Sequence, residues 1–132
     1  MVTLSVSTSN RVESQDITHL ISQEISSNNW DDGILTIYCP HTTGAITINE
    51  SADPDVVKDM TMEMNNIVPF DDGYLHSEGN SAAHIKSSLI GCSETVIVEN
   101  GNTVLGTWQG VYFAEFDGPR TRKVLLKFVN NK

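Results

Sequence analysis

Three of the four histidines, His41, His76 and His84, sit where loops meet regular elements. Three imidazoles with a fourth position left open are the donor set of a catalytic zinc or a similar borderline cation. Their spacings are long and irregular, so only the fold can assemble them. His76-Ser77-Glu78-Gly79-Asn80 runs straight into a second feature. Asn80 has the residue type of an N-cap and Gly91 that of a helix stop, which predicts a helix from Ser81 to Ile90. Helical side chains lean toward their own N-terminus, so His84 should lie over Glu78-Gly79-Asn80. The free N–H groups and positive dipole end at that point suit a phosphate or carboxylate. The same stretch also reads as a solvated helix face with an ordinary cap.

A second polar set, Asn49, Glu50, Asp53 and Asp55, offers the oxygen ligands that suit Mg²⁺ carrying a diphosphate, although Asp53 ahead of Pro54 is also a helix cap. Cys39, two residues before His41, invites a thiolate nucleophile with a histidine base; a small apolar residue ending a strand is the commoner use of cysteine. His41 itself reads either as a ligand or as a loop residue bonding its own turn. Trp108-Gln109 ahead of Gly110 suits stacking on, and hydrogen bonding to, a planar heteroaromatic ring, and an ordinary core tryptophan explains the Trp equally well. Walker, GxGxxG, G-x-S-x-G and HExxH motifs are all missing from the sequence.

The elements that must position these residues alternate between two periodicities. Val2 to Thr8 alternates apolar with hydroxylated residues, the pattern of a half-buried strand. Asp16 to Asn28 carries Ile17, Leu20, Ile21 and Ile25 at helical spacing, with His19 well outside the apolar arc. Ile34–Cys39 and Ala45–Glu50 read as strands on either side of His41-Thr42-Thr43-Gly44. From Pro54, a helix with Val56, Val57, Met60, Met64, Ile67 and Val68 on one arc is expected to cover a sheet. In the Ser81–Ile90 helix, Ala82, Ala83, Ile85, Leu89 and Ile90 form the apolar arc, Ser81, His84, Ser87 and Ser88 the opposite one, and Lys86 falls inside the apolar arc. Thr95–Glu99 and Thr103–Trp108 flank the hairpin signal Asn100-Gly101-Asn102. A second hairpin is expected around Gly118-Pro119. With those two residues as the loop, Asp117 faces Arg120 and Glu115 faces Arg122, followed by Phe113 with Val124 and Val111 with Leu126. The two acid–base pairs either close the end of a core or form a charged rim on a pocket.

The chain has 132 residues, enough for one domain, here residues 1–132, and too few for two comfortable ones. Its net charge of −9, from 17 acidic against 8 basic residues, argues against nucleic acid or an anionic membrane as partner. An apolar run long enough to cross a bilayer is missing, as is a secretory leader pattern, so the expected location is cytoplasmic. Two cysteines, Cys39 and Cys92, make no disulfide framework.

The blocks His41-Thr42-Thr43, Ile48-Asn49-Glu50, Ala52-Asp53-Pro54-Asp55, His76-Ser77-Glu78-Gly79-Asn80, Ala83-His84-Ile85, Gly106-Thr107-Trp108-Gln109-Gly110 and Glu115-Phe116-Asp117-Gly118-Pro119-Arg120 together resemble the YjbQ-like family. The resemblance runs from Ile34 to Phe128, with one departure at Gly44-Ala45, where alanine before glycine is expected. It implies an α+β fold, an antiparallel β-sandwich or distorted barrel with about three helices, assembled as a homotrimer. It further implies a thiamine-phosphate synthase activity, joining hydroxymethylpyrimidine diphosphate to a thiazole phosphate with loss of diphosphate. Under that resemblance His41, His76 and His84 are the candidate ligands of a divalent cation, zinc or magnesium, and Glu50, Glu78 and Glu115 the candidate catalytic carboxylates. Thr42, Asn49, Asn80, Ser88, Trp108, Gln109, Asp117 and Arg120 are the candidate residues for binding a small phosphorylated substrate. A non-catalytic trimeric module that holds a metal or anion, and a metal-assisted phosphatase, are the alternative readings.

Overall fold

A computed structural model describes residues 1–131. Two antiparallel sheets face each other across one main core. Strands β1 (Val2–Ser7), β2 (Glu13–Asp16), β3 (Gly33–Tyr38), β4 (Gly44–Glu50), β5 (Ser93–Glu99), β6 (Asn102–Thr103), β7 (Gln109–Glu115) and β8 (Thr121–Asn130) are joined by helices α1 (Thr18–Ser27), α2 (Pro54–Ile67) and α3 (Ser81–Ile90). The larger sheet has the order β1-β8-β3-β5-β6 and the smaller one β2-β7-β4. Alternation along the strands decides what faces inward. Leu4 and Val6 of β1, Leu35 and Ile37 of β3, Val96 and Val98 of β5, and Val124 and Leu126 of β8 meet Ile46, Val111 and Phe113 of the smaller sheet. Helix α1 adds Ile21 and Ile25 to the same core. Asn100 and Gly101 both have positive φ, 53° and 75°, as the tight β5–β6 turn requires.

The Gly118-Pro119 segment, which contains a cis peptide bond, does not join a hairpin. β7 pairs with β2 and β4, whereas β8 pairs with β1 and β3, so the chain crosses from one sheet to the other there. The expected side-chain order nevertheless survives as facing columns across the sandwich. Glu115 meets Arg122, and Phe113, Val111, Val124 and Leu126 share the core, because inward parity is the same whether two strands pair or pack face to face.

One strand, β2, has no counterpart among the expected elements, and three other expectations need correction. β2 has no apolar alternation in its Glu-Ser-Gln-Asp sequence and exists through its ladder with β7. The strand expected over Thr103–Trp108 shrinks to the two residues of β6. No residue of α2 is fully buried, and Met60 (38%) and Ile67 (63%) of its apolar arc stand exposed, so that arc covers the sheet only partly. Helix α3 is rotated from its apolar arc: Ala82, Ala83, Lys86 and Ser87 are buried, while Leu89 is 60% exposed. Small residues let α3 approach the outer face of the smaller sheet, where Ala83 packs with Ala45, Ala114 and Phe116. Buried Lys86 is accommodated by the Phe70 ring, 3.6 Å from Nζ, and by donation to Asn65 Oδ1, while the Arg11 guanidinium stacks on the same ring at 3.7 Å.

Candidate functional site

The site is built where α3 lies against the β3–β4 connection. Ser87 Oγ donates to the Gly44 carbonyl at 2.6 Å, and the Ile46 N–H to the Gly91 carbonyl at 3.1 Å, which fixes the helix to the start of β4. Between them opens a cleft of about 600 Å³ whose walls include His41 and Thr42 on one side and His84 and Ser88 on the other. His84 also lines a second cavity of about 540 Å³ with Tyr74, His76 and Ser81. The His76 and His84 rings are 5.7 Å apart in edge-to-face geometry, and His76 Nε2 lies 3.9 Å from Glu78 Oε2. The expected closeness of His84 to the loop before α3 is therefore present.

Beneath the cleft runs a buried polar network. Glu115 is wholly buried, and its carboxylate accepts from Arg122 Nε at 2.8 Å, from Arg122 Nη2, from Thr8 Oγ1 at 2.8 Å and from the Asp117 N–H at 3.1 Å. Arg122 Nη2 also donates to Thr43 Oγ1 at 2.8 Å and to the Thr43 carbonyl at 3.2 Å, tying the loop that carries His41 to the core. Burial pushes the Glu115 carboxyl up, but the hydrogen bonds from Arg122, the Asp117 amide and Thr8 outweigh it, and the net displacement is downward. Glu115 is thus engaged with its own buried partners beneath the cleft. Sequence reasoning missed Thr8 as a partner of Glu115 and Thr43 as a partner of Arg122; the one available signal was that Thr8 continues the inward parity of Leu4 and Val6.

His41 is held against β8, its Nε2 accepting the Lys123 N–H at 2.9 Å. As an acceptor at Nε2 the ring is neutral with its proton on Nδ1, and burial, then the charge of Arg122, lower its pKa. At the entrance to α3, Asn80 does not cap the helix with its side chain. Its Nδ2 donates instead to Asp117 Oδ2 at 2.8 Å, and the same oxygen receives Arg120 Nη2 at 3.2 Å. Asn80 Oδ1 is buried without a partner. Asp53, by contrast, caps α2 as expected, accepting the Asp55 N–H at 2.9 Å.

The remaining candidates lie elsewhere. Gly44 pairs with Glu115 at one end of the β4–β7 ladder and Glu50 with Gln109 at the other. Six residue steps of roughly 3.4 Å separate the ends by about 20 Å. Asn49, Glu50, Trp108 and Gln109 therefore form a separate surface group. There Asn49 Oδ1 accepts the Glu50 N–H, Gln109 Oε1 accepts the Gly106 N–H, and Trp108 is 63% exposed rather than a core residue. Among the described residues no three His, Cys, Asp or Glu side chains converge as a metal-holding group. His76 and His84 are neighbouring imidazoles, with Glu78 beside His76.

A family model described as UPF0047 protein YjbQ-like matches residues 2–131. The chain belongs to the YjbQ-like UPF0047 family. Within that family it is 51% identical over 128 residues to YugU of Bacillus subtilis, covering 96% of this chain and 97% of the relative. It is 50% identical over 127 residues to a UPF0047 protein of Methanocaldococcus jannaschii, covering 96% and 92%. The crystal structure of a YjbQ/UPF0047 family protein from Clostridium acetobutylicum superposes with a TM-score of 0.95 at 49% identity, covering 98% of this chain and all of the other. A hypothetical protein from Aeropyrum pernix gives a TM-score of 0.93 at 32% identity, covering 98% of each chain. The α+β sandwich is thus the family's fold. Among the described residues no helix is long and apolar enough to cross a membrane.

Proposed function

We propose that the cleft between the His41 loop and α3 is the active site of a transferase of the thiamine-phosphate synthase type. In that reaction a thiazole nitrogen attacks the methylene carbon of hydroxymethylpyrimidine diphosphate, the C–N bond forms, and the C–O bond to diphosphate breaks. The observation that carries this reading is the place of His84, which lines both cavities, with His76 beyond it on one side and His41 on the other. Arg120, oriented by Asp117, and the uncapped first turn of α3 bind the phosphate groups. His41, a neutral imidazole, and Ser88 and Thr42 on the cleft walls orient the heterocycles. A divalent cation would be held by His76 and His84 with Glu78 nearby, and when bound it would neutralise diphosphate charge. Two imidazoles suit zinc better than magnesium. The uncovered apolar side chains of α2 and α3 support association with further copies of the chain, and a homotrimer is the assembly we propose.

The test is incubation of the purified protein with both substrates, with and without added zinc, beside His84→Ala. Thiamine phosphate and diphosphate should appear in equal amounts and disappear in the variant. No turnover by the wild type in either condition refutes the transferase. Phosphate release from one substrate alone would indicate the phosphatase, and a raised melting temperature without turnover the binding module.

A further inference from the structure

Cys39 and Cys92 meet at the wall of the cleft, and neither has a part in the proposed transfer. The β3–β5 ladder pairs Tyr38 with Ser93, and one step beyond it the Cys39 N–H donates to the Cys92 carbonyl at 2.7 Å. The two cysteines are therefore cross-strand neighbours. Residues directly opposite on antiparallel strands project to the same side. For Cys39 that side is the inner one, shared with Leu35 and Ile37; Cys92 has the same parity as Val96 and Val98. A hydrogen-bonded antiparallel pair has Cα atoms about 5.5 Å apart, inside the roughly 4.4–6.8 Å span of disulfides. The two thiols differ in access because the strands end here: Cys39 is 1% exposed, whereas Cys92 is open to solvent. Both line the cleft that holds His41 and His84.

We propose that Cys39 and Cys92 form a redox-modification site, a dithiol that a peroxide oxidises to an intrachain disulfide across the ends of β3 and β5. The exposed Cys92 sulfur attacks one peroxide oxygen; the S–O bond forms, the O–O bond breaks, and the second oxygen leaves as water with the thiol proton. Cys39 Sγ then attacks the Cys92 sulfur, the S–S bond forms, the S–O bond breaks, and hydroxide leaves as water with the Cys39 proton. Two thiols and one peroxide become one disulfide and two waters, the sulfurs giving up two electrons and the peroxide taking them. Cys39 Sγ also lies 3.8 Å from the His41 carbonyl, so bridging removes a contact that holds the histidine loop.

The experiment treats the folded protein with hydrogen peroxide, blocks residual thiols after denaturation, and reads intact mass and peptide map without reductant. The wild type should lose two hydrogens, yield one peptide pair linked Cys39 to Cys92, and revert with dithiothreitol. Cys39→Ser and Cys92→Ser should lose the link. Oxygen added at Cys92 with Cys39 still alkylatable, or a link between two chains through Cys92, overturns the proposal. The wild-type map decides even if a variant fails to fold, and it reads the same whether or not the chain turns over substrate.

Discussion

Replacing Glu115 with alanine should cost far more stability than any surface ion pair could. The side chain is wholly buried and so is its partner, with Arg122 2% exposed. Removing the carboxylate leaves the guanidinium in the core with only the Thr43 oxygens as acceptors, strands the Asp117 N–H, and leaves the Thr8 hydroxyl with the Arg120 backbone alone. Breaking a buried pair from one side costs ~3–5 kcal/mol, against ~0–1 kcal/mol for an exposed pair. A domain whose whole stability is about 5–15 kcal/mol would then be near its unfolding threshold. The assay is urea unfolding followed by far-UV circular dichroism, wild type beside Glu115→Ala, Arg122→Met and the double variant Glu115→Leu/Arg122→Met. The double variant should recover much of the loss, because no charge is left unpaired. The pH dependence gives a second readout. The folded Glu115 carboxyl is held below its unfolded value of about 4.3, so its stabilisation is complete above that pH and drains away as pH falls through the folded value. Glu115→Gln should flatten that acid limb. A single-variant loss below about 1 kcal/mol would refute the account, since it would equate the pair with a surface one.

His41 should titrate below the ordinary histidine value of 6.5, its ring protons followed by NMR across the acid range. Because the folded pKa is lowered, stability present above about 6.5 falls as pH drops toward the folded value; a midpoint at or above 6.5 sinks the neutral-imidazole assignment. Lys86, with a pKa lowered from 10.5 to about 8, has the same sign in another window: the unfolded chain binds more protons between those values, so folding gains stability as pH rises from 8 to 10.5. The displacement corresponds to an upper bound of ~3 kcal/mol, and a stability difference between Lys86→Met and wild type that does not change between pH 7 and pH 10.5 would contradict it. Gly44→Ala places a Cβ 2.6 Å from Phe113 Cζ, inside a filled core. A loss of ~1–3 kcal/mol is expected in thermal or urea unfolding, and an unchanged midpoint would show that the Phe113 ring yields freely.

How much of this was legible beforehand differs from residue to residue. The His41 loop, the Asp53 cap and the Asn100-Gly101 turn are local features, written in a few adjacent residues, and they stand where they were expected. The Glu115–Arg122 and Asp117–Arg120 contacts were expected from a hairpin that does not exist. The pairs hold because parity about Gly118-Pro119 is the same for a ladder and for a crossover. The orientation of helix α3 is not legible in the sequence, because its apolar arc by residue type is not the arc that small side chains allow to approach Ala45 and Ala114. Asn80 had the type of a cap, yet its amide turned to Asp117, a partner 37 positions away.

By itself, the sequence determined the strand and helix periods, the turns, the acidic balance and the family pattern, since each depends on near neighbours or on the summed composition. Tertiary structure alone decided that His84 joins two cavities, that Glu115 lies beneath the cleft, and that Glu50 and Trp108 stand about 20 Å from it along β4. It also set Cys39 across from Cys92. These are matters of which strand lies beside which. That choice is settled by packing two sheets around one apolar core, a contest among distant residues that no local window contains.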